Sequence, residues 1–240
     1  FLTVAAICAF GVVMLFSASY YYAQSFQGDG YYYVKKQLLF LAIGIPVMFG
    51  LSFVDYKFYR RFAWMAYLLI ILLLIAVLLF GKNLQGGQRW LKIGPLQFQP
   101  SELAKFIIVI CMAKYMTDHH EDMPSFVRGL LPMAALLVVP AVLIYFQPNV
   151  SMLIILCIVF AIMLFIGGAD LKHLGIAALI GGAAIGVLLF AASYRESRIT
   201  AWLDPWGNKS DAGYQIVQSL YAFGNGGWFG QGLDASRQKL

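Results

Sequence analysis

Apolar residues run along this chain in long blocks at 1–22, 38–54, 62–80, 101–116, 130–146, 150–166 and 174–193, with short polar connections between them and a mixed stretch at 194–240. A helix needs roughly 17–25 mostly apolar residues to cross a bilayer, so the pattern predicts roughly seven spans. The fourth block is the weakest, because its unbroken apolar part is 103–116 and it needs residues 100–102, or residues beyond Met116, to reach a spanning length. Inside lipid only helices and closed barrels satisfy every backbone N–H and C=O, and unbroken runs without period-two alternation select helices. The expected fold is all-α, a polytopic transmembrane helical bundle forming one domain over 1–240. The first block is expected to be a span and not the core of a signal peptide, since no basic region precedes it.

Composition strengthens this reading. Hydrophobic residues make up 61% of the chain and charged residues 12%, with a mean hydropathy of +0.77. A soluble domain carries about 25% charged residues, so water is not the main solvent here. Cys8, Cys111 and Cys157 fall inside apolar blocks without metal-type spacing and read as small hydrophobes. His119 and His120, among Asp118, Glu121 and Asp122, read as a solvated turn between helices, and no metal site is expected.

Charge does not orient the chain. One set of alternate connections carries Lys57, Arg60, Arg61, Lys114, Arg128 and Lys172; the other carries Lys35, Lys36, Lys82, Arg89 and Lys92, together with basic residues of the long C-terminal stretch where the positive-inside rule is weak. The second set clusters in loops rich in Gly, Trp and Gln, where basic side chains can serve an anionic ligand. No nucleic-acid partner is expected.

Polar residues concentrate in 81–105 and 194–240. In the first region, glycines and Pro95 interrupt regular structure, and Pro100 and Ser101 suit the first turn and the cap of a fourth helix. Glu102 and Lys105 stand three residues apart on one helix face and can pair at the membrane rim, where stranded charges usually face a partner or a cavity. Arg89 beside Trp90 is open to two readings: a snorkelling anchor at the interface, or a phosphate-binding guanidinium beside a ring that stacks on a sugar or prenyl chain. In the second region, 214–223 suits a short interfacial helix with Ile216, Leu220 and Phe223 on one face. Asp204 precedes a proline and reads as a turn initiator.

The strings Gln88-Arg-Trp90, Phe98-Gln-Pro-Ser-Glu-Leu-Ala-Lys105, Gln147-Pro148, Arg195 to Arg198 with Leu203-Asp-Pro205, Gly213-Tyr-Gln215, Gln218-Ser219, Gly230-Gln-Gly232 and Gln238-Lys-Leu240 closely resemble the shape, elongation, division and sporulation family of FtsW, RodA and SpoVE. They occur in order along the whole chain, which makes the resemblance far more specific than any one short motif. Gln218-Ser-Leu220 and Ser236-Arg-Gln-Lys239 are more similar to the division and sporulation branch than to the rod-shape branch.

The resemblance implies a peptidoglycan glycosyltransferase that polymerises lipid II, the polyprenyl-pyrophosphate-linked disaccharide pentapeptide, on the outer face of the bacterial cytoplasmic membrane. It places the basic Gly-rich loops and 194–240 outside, and implies a multi-pass protein at the septum, about ten spans in the full family protein, surrounded by membrane lipids and partnered by a class B penicillin-binding transpeptidase. The substrate-binding residues it implies are Arg89, Trp90, Gln99, Ser101, Glu102, Lys105, Arg195, Arg198 and Gln215. Its catalytic carboxylate is an Asp in a His-Thr-Asp segment shortly after the Gln-Lys-Leu motif; the sequence stops at Leu240, so this stretch alone is expected to lack the general base. Asn149 stands where many relatives have Asp after Gln-Pro, which weakens a catalytic role there.

The chemistry suits the residue types. An acceptor hydroxyl attacks the anomeric carbon as polyprenyl pyrophosphate departs, which calls for a carboxylate base and for cations near the leaving phosphates. Arg89, Lys105, Arg195 and Arg198 are the candidate cations; a divalent cation could share the task, but no ligand cluster demands one. Two other classes fit the same residues: a lipid-linked precursor flippase gated by Glu102 and Lys105, or a scaffold for the transpeptidase.

Overall fold

The structure is a computed structural model that describes every residue except 85–86, 94–95, 191–199, 211–212, 233–234 and 236–240. Helices α1 (Leu2–Gln27), α2 (Tyr32–Leu51), α3 (Tyr56–Phe80), α4 (Pro100–Asp118), α5 (Leu131–Phe146), α6 (Val150–Ile166) and α7 (Leu171–Phe190) follow the apolar blocks, and α8 (Tyr214–Gly226) lies in the C-terminal stretch. By length and composition α1, α2, α3 and the continuous stretch Phe126–Phe146 can each cross a membrane, while Val150–Ile166 and Leu171–Ala184 are shorter apolar helices. The fold is a helical membrane fold. The contacts divide it into two compact units, 1–54 with 193–240, and 55–192.

In the first unit, α1 and α2 form a hairpin. Gly28 takes the left-handed conformation (φ 72°) that ends α1, a geometry glycine adopts without a Cβ penalty. Asp29 then accepts from the Tyr31 backbone N–H at 2.9 Å and pairs with Lys35 at 2.7 Å. Tyr20, Tyr31, Tyr22 and Phe26 pack ring against ring at this turn, the aromatic dress of a membrane–water interface. The helices bury little, Ser17 and Ala23 on α1 and Val34 on α2, while Ile7, Phe10, Leu39, Phe40 and Ile43 are exposed. Apolar surface of this extent on a described unit is lipid-facing surface.

The second unit has a packed core. Ala63, Ile70 and Leu74 of α3 meet Ala104, Ile107, Ile108, Cys111 and Met112 of α4, with Met133, Leu137 and Ile144 of α5 and Leu153, Leu156, Phe160 and Leu164 of α6 behind them. These positions recur at three- and four-residue intervals, so each helix turns one stripe inward. Polar ties lock the stripes in register: the Tyr67 hydroxyl donates to the Leu136 carbonyl at 3.1 Å, and the Tyr115 hydroxyl to the Arg128 carbonyl at 2.6 Å. A π-helical turn, Phe126–Leu130, leads into α5.

One segment departs from the irregular reading of the sequence. Residues 82–98 form a small antiparallel sheet, β1 (Lys82–Leu84), β2 (Gly87–Ile93) and β3 (Leu96–Phe98), in the order β1-β2-β3. Register pairs Lys82 with Trp90 and Leu91 with Phe98. Over Gln88–Ile93 the order polar, polar, apolar, apolar, polar, apolar lacks the strict period of two that marks a strand in sequence.

Candidate functional site

β2 packs against α3 and α4 at the end of the second unit where α3 finishes and α4 begins. The α4 start follows from its first residues. Gln99 is the N-cap residue and Pro100 the first helical residue, where its missing N–H costs nothing. Ser101, expected as a candidate cap, lies one position further in and fully buried; its hydroxyl accepts from Gln99 Nε2 at 3.0 Å. Glu102 and Lys105 form the ion pair that their spacing allows, Nζ to Oε2 at 2.8 Å, with the Glu102 side chain 55% and the Lys105 side chain 26% exposed. The pair sits in the first turns of α4, at the rim of the unit.

Arg89 reaches from β2 to the connection between α5 and α6. Its Nε donates to the Gln147 carbonyl oxygen at 3.2 Å and its terminal nitrogen donates to the Pro148 carbonyl oxygen. Gln147 is fully buried and donates through Nε2 to the Leu74 carbonyl of α3 at 3.1 Å, while its Oε1 has no partner among the described residues. Asn149 caps α6, its Oδ1 accepting from the Met152 N–H at 3.4 Å. The Asn at this position is thus a helix cap, a role that an anion is not needed for. Gln88 Nε2 donates to the Gly81 carbonyl at 2.7 Å, tying β2 to the end of α3. Trp90 is half-buried beside them on β2.

The structure therefore brings Arg89, Trp90, Gln99, Ser101, Glu102 and Lys105 to one end of one unit. The cations Arg89 and Lys105 and the amide of Gln99 stand there, with the exposed Lys92 on the same strand as Arg89. No carboxylate lies within 4 Å of Arg89 among the described residues, so its charge is balanced only by carbonyl dipoles. Such an edge can hold an anion such as a phosphate. Gln215 is exposed on α8 in the other unit. Arg195 and Arg198 lie outside the described residues. Asp204 serves a turn, its Oδ1 accepting from the Gly207 N–H at 2.9 Å. No group of three His, Cys, Asp or Glu residues suited to a metal occurs among the described residues.

The buried role of Gln147 goes beyond what its place in the sequence announced. The residue stands before a proline between two apolar blocks, and a polar side chain in that place is a signal for a buried tie. The sheet that carries Arg89 was missed as well.

A family model for cell cycle proteins, FtsW/RodA/SpoVE, matches residues 1–240. Among curated relatives, a probable peptidoglycan glycosyltransferase FtsW of Saccharophagus degradans is 35% identical over 240 residues, covering 99% of this chain and 62% of the relative. Stage V sporulation protein E of Bacillus subtilis is 34% identical over 232 residues, 96% of this chain and 63% of the relative. The chain spans about three fifths of the length of these relatives. Among solved structures, the rod shape determining protein RodA of Thermus thermophilus aligns with a TM-score of 0.60 at 30% identity over 78% of this chain and 57% of that one. A chain of a peptidoglycan synthase complex, solved to show the structural coordination of polymerization and crosslinking, aligns with a TM-score of 0.71 at 31% identity over 94% of this chain and 64% of that one.

Proposed function

Because the chain belongs to the FtsW/RodA/SpoVE family of cell cycle proteins, we propose that it is the greater part of a peptidoglycan glycosyltransferase that polymerises lipid II during division or sporulation. The observation that carries this is the match over 1–240 to relatives named as probable peptidoglycan glycosyltransferases. In the reaction, an acceptor sugar hydroxyl forms a bond to the anomeric carbon of the donor, the bond from that carbon to pyrophosphate breaks with its electrons, and the hydroxyl proton passes to a carboxylate base. The base is assigned to the family's His-Thr-Asp segment, and the residues of this chain to donor binding.

Arg89 and Lys105 are the cations for the pyrophosphate. Arg89 is held by the Gln147 and Pro148 carbonyls with further N–H donors available, and Lys105 is held by Glu102. Trp90, Gln99 and Ser101 stand at the same edge, the first to stack on sugar or prenyl chain, the others to fix the start of α4. Arg195, Arg198 and Gln215 are kept as further substrate contacts. The sheet and 194–240 are assigned to the outer face of the cytoplasmic membrane, in one transmembrane domain, and a class B penicillin-binding transpeptidase at the septum is the partner. A transport gate is not adopted, because Glu102 and Lys105 lie in the first turns of α4 with Glu102 half exposed, and not at mid-helix where a gate would need them.

The full-length protein, purified with its partner and given lipid II, should lengthen glycan strands and release polyprenyl pyrophosphate. Lipid movement across vesicles without polymer would favour transport, and partner activation without either would favour a scaffold.

A further inference from the structure

At the other end of the second unit, α3 begins and α4 finishes, and of the basic residues there Arg60 and Lys114 line one cavity among aromatic and aliphatic side chains. A cavity of about 420 Å³ opens between the helices, lined by Tyr56, Tyr59 and Arg60 of α3 and Ile110, Ala113 and Lys114 of α4, with Thr117 at its edge. It shares no residue with the edge that holds Arg89 and Lys105. At roughly 30 Å³ per water, the space suits a phosphoglycerol group and the first carbons of a chain.

Its two cations are held in different ways. Arg60 is anchored by Asp118 through one terminal nitrogen. Lys114 has no carboxylate within 4 Å among the described residues; its ammonium lies 5.7 Å from the centroid of the Trp64 ring, a cation–π contact across α3 and α4. Lys114 stands four residues before the end of α4, about 6 Å along the axis at 1.5 Å per residue, so its stem can cover apolar wall while its charge reaches headgroup depth.

From these features we propose that the α3–α4 cavity binds one anionic glycerophospholipid of the surrounding bilayer, its phosphate between Arg60 and Lys114 and its glycerol and upper chain against Tyr59, Ile110 and Ala113. Charge complementarity selects an anionic over a zwitterionic headgroup. The apolar walls select a lipid over soluble phosphate, which would gain nothing from Ile110, Ala113 and the two tyrosine rings. The exposed faces of α3, including Trp64, Met65, Leu68 and Leu69, place the cavity beside the lipid that would fill it.

Native mass spectrometry of the full-length protein, released from micelles holding equal amounts of phosphatidylglycerol and phosphatidylethanolamine, tests this. The wild-type protein should retain a phosphatidylglycerol in preference to phosphatidylethanolamine. Lys114→Gln should lower that retention about fivefold, the equivalent of about 1 kcal/mol per basic residue at an anionic surface. Arg60→Gln should lower it further, because Asp118 is then left as an unpaired carboxylate at the mouth. Lys114→Arg, which keeps charge and ring contact, should retain the lipid, and it separates loss of charge from loss of folding. Millimolar glycerol 3-phosphate should not displace the lipid. Equal retention of the two lipids, unchanged retention in both Gln variants, or displacement by the soluble phosphate would overturn the proposal.

Discussion

At Arg89 the guanidinium commits two contacts to carbonyl oxygens of the α5–α6 connection and keeps its remaining donors. Lysine keeps the charge but has no planar fork, so it cannot hold both carbonyls and a phosphate at once. Losing one charge-assisted contact costs about 1.5–3 kcal/mol, and Arg89→Lys in the full-length protein should cut polymerisation of lipid II roughly tenfold to a hundredfold at matched membrane levels. A rate within twofold of wild type would reduce Arg89 to an interfacial anchor. For the Glu102 and Lys105 pair, the double variant Glu102→Gln with Lys105→Met removes both charges together, so a purely neutralising pair would be dispensable. Loss of polymerisation by a variant that still inserts and accumulates is the expected result; normal activity would remove Lys105 from the donor site. Asp29 gives a pH prediction of definite sign. The hydrogen bond from Lys35, and then that from the Tyr31 N–H, hold its carboxyl below the ordinary aspartate range. A lowered folded-state pKa contributes stability present above the unfolded value of about 3.9 and lost as pH falls through the folded value. Asp29→Asn should therefore leave the thermal midpoint flat between neutral pH and the unfolded value relative to wild type, and narrow the gap between them only in stronger acid. At this scale the sequence spoke clearly about residue types, since an Arg beside a Trp, or a Glu three residues before a Lys, limits the partners available. It did not say that Arg89 would be spent partly on Gln147 and Pro148, because that contact joins residues 58 and 59 positions apart and depends on how the helices pack.

The helices were the most legible elements. Each apolar block became one, and α4, too short as an apolar run, gained its length from 100–102 and from the turn beyond Met116, ending at Asp118. The sheet was hidden because its strands are short, β2 lacks the strict alternation that signals a strand, and the glycines around it signal turns. The π turn was equally hidden, since its cause is packing. Gly129 lies against the backbone there: an added Cβ would clash with the Met123 carbonyl oxygen and come within 2.7 Å of that of Asp122. Neither can yield as a side chain could, so Gly129→Ala should destabilise the second unit by about 1–3 kcal/mol. A thermal unfolding scan in detergent checks this; an unchanged midpoint would mean that the turn relaxes freely. The helix expected at 214–223 is present as Tyr214–Gly226, with Val217 its buried residue and Leu220 and Phe223 exposed.

For the molecule as a whole, membrane orientation and catalysis were carried by resemblance, since charge counts left the two faces nearly balanced. In the second unit the sheet and the 118–122 turn lie at opposite helix ends, so they should label from opposite faces. With Cys8, Cys111 and Cys157 replaced, a cysteine at the exposed Lys92 should react with an impermeant thiol reagent in intact spheroplasts, and one at Glu121 only after permeabilisation. The reverse pattern would invert the assignment of the donor site to the outer face. Catalysis itself is tested most directly by supplying purified lipid II to the full-length protein with the proposed transpeptidase partner blocked, and resolving the glycan products by length. Strands that lengthen with time, with polyprenyl pyrophosphate released in step, are the predicted result; lipid II that remains monomeric while the protein is folded and partner-bound would contradict the account.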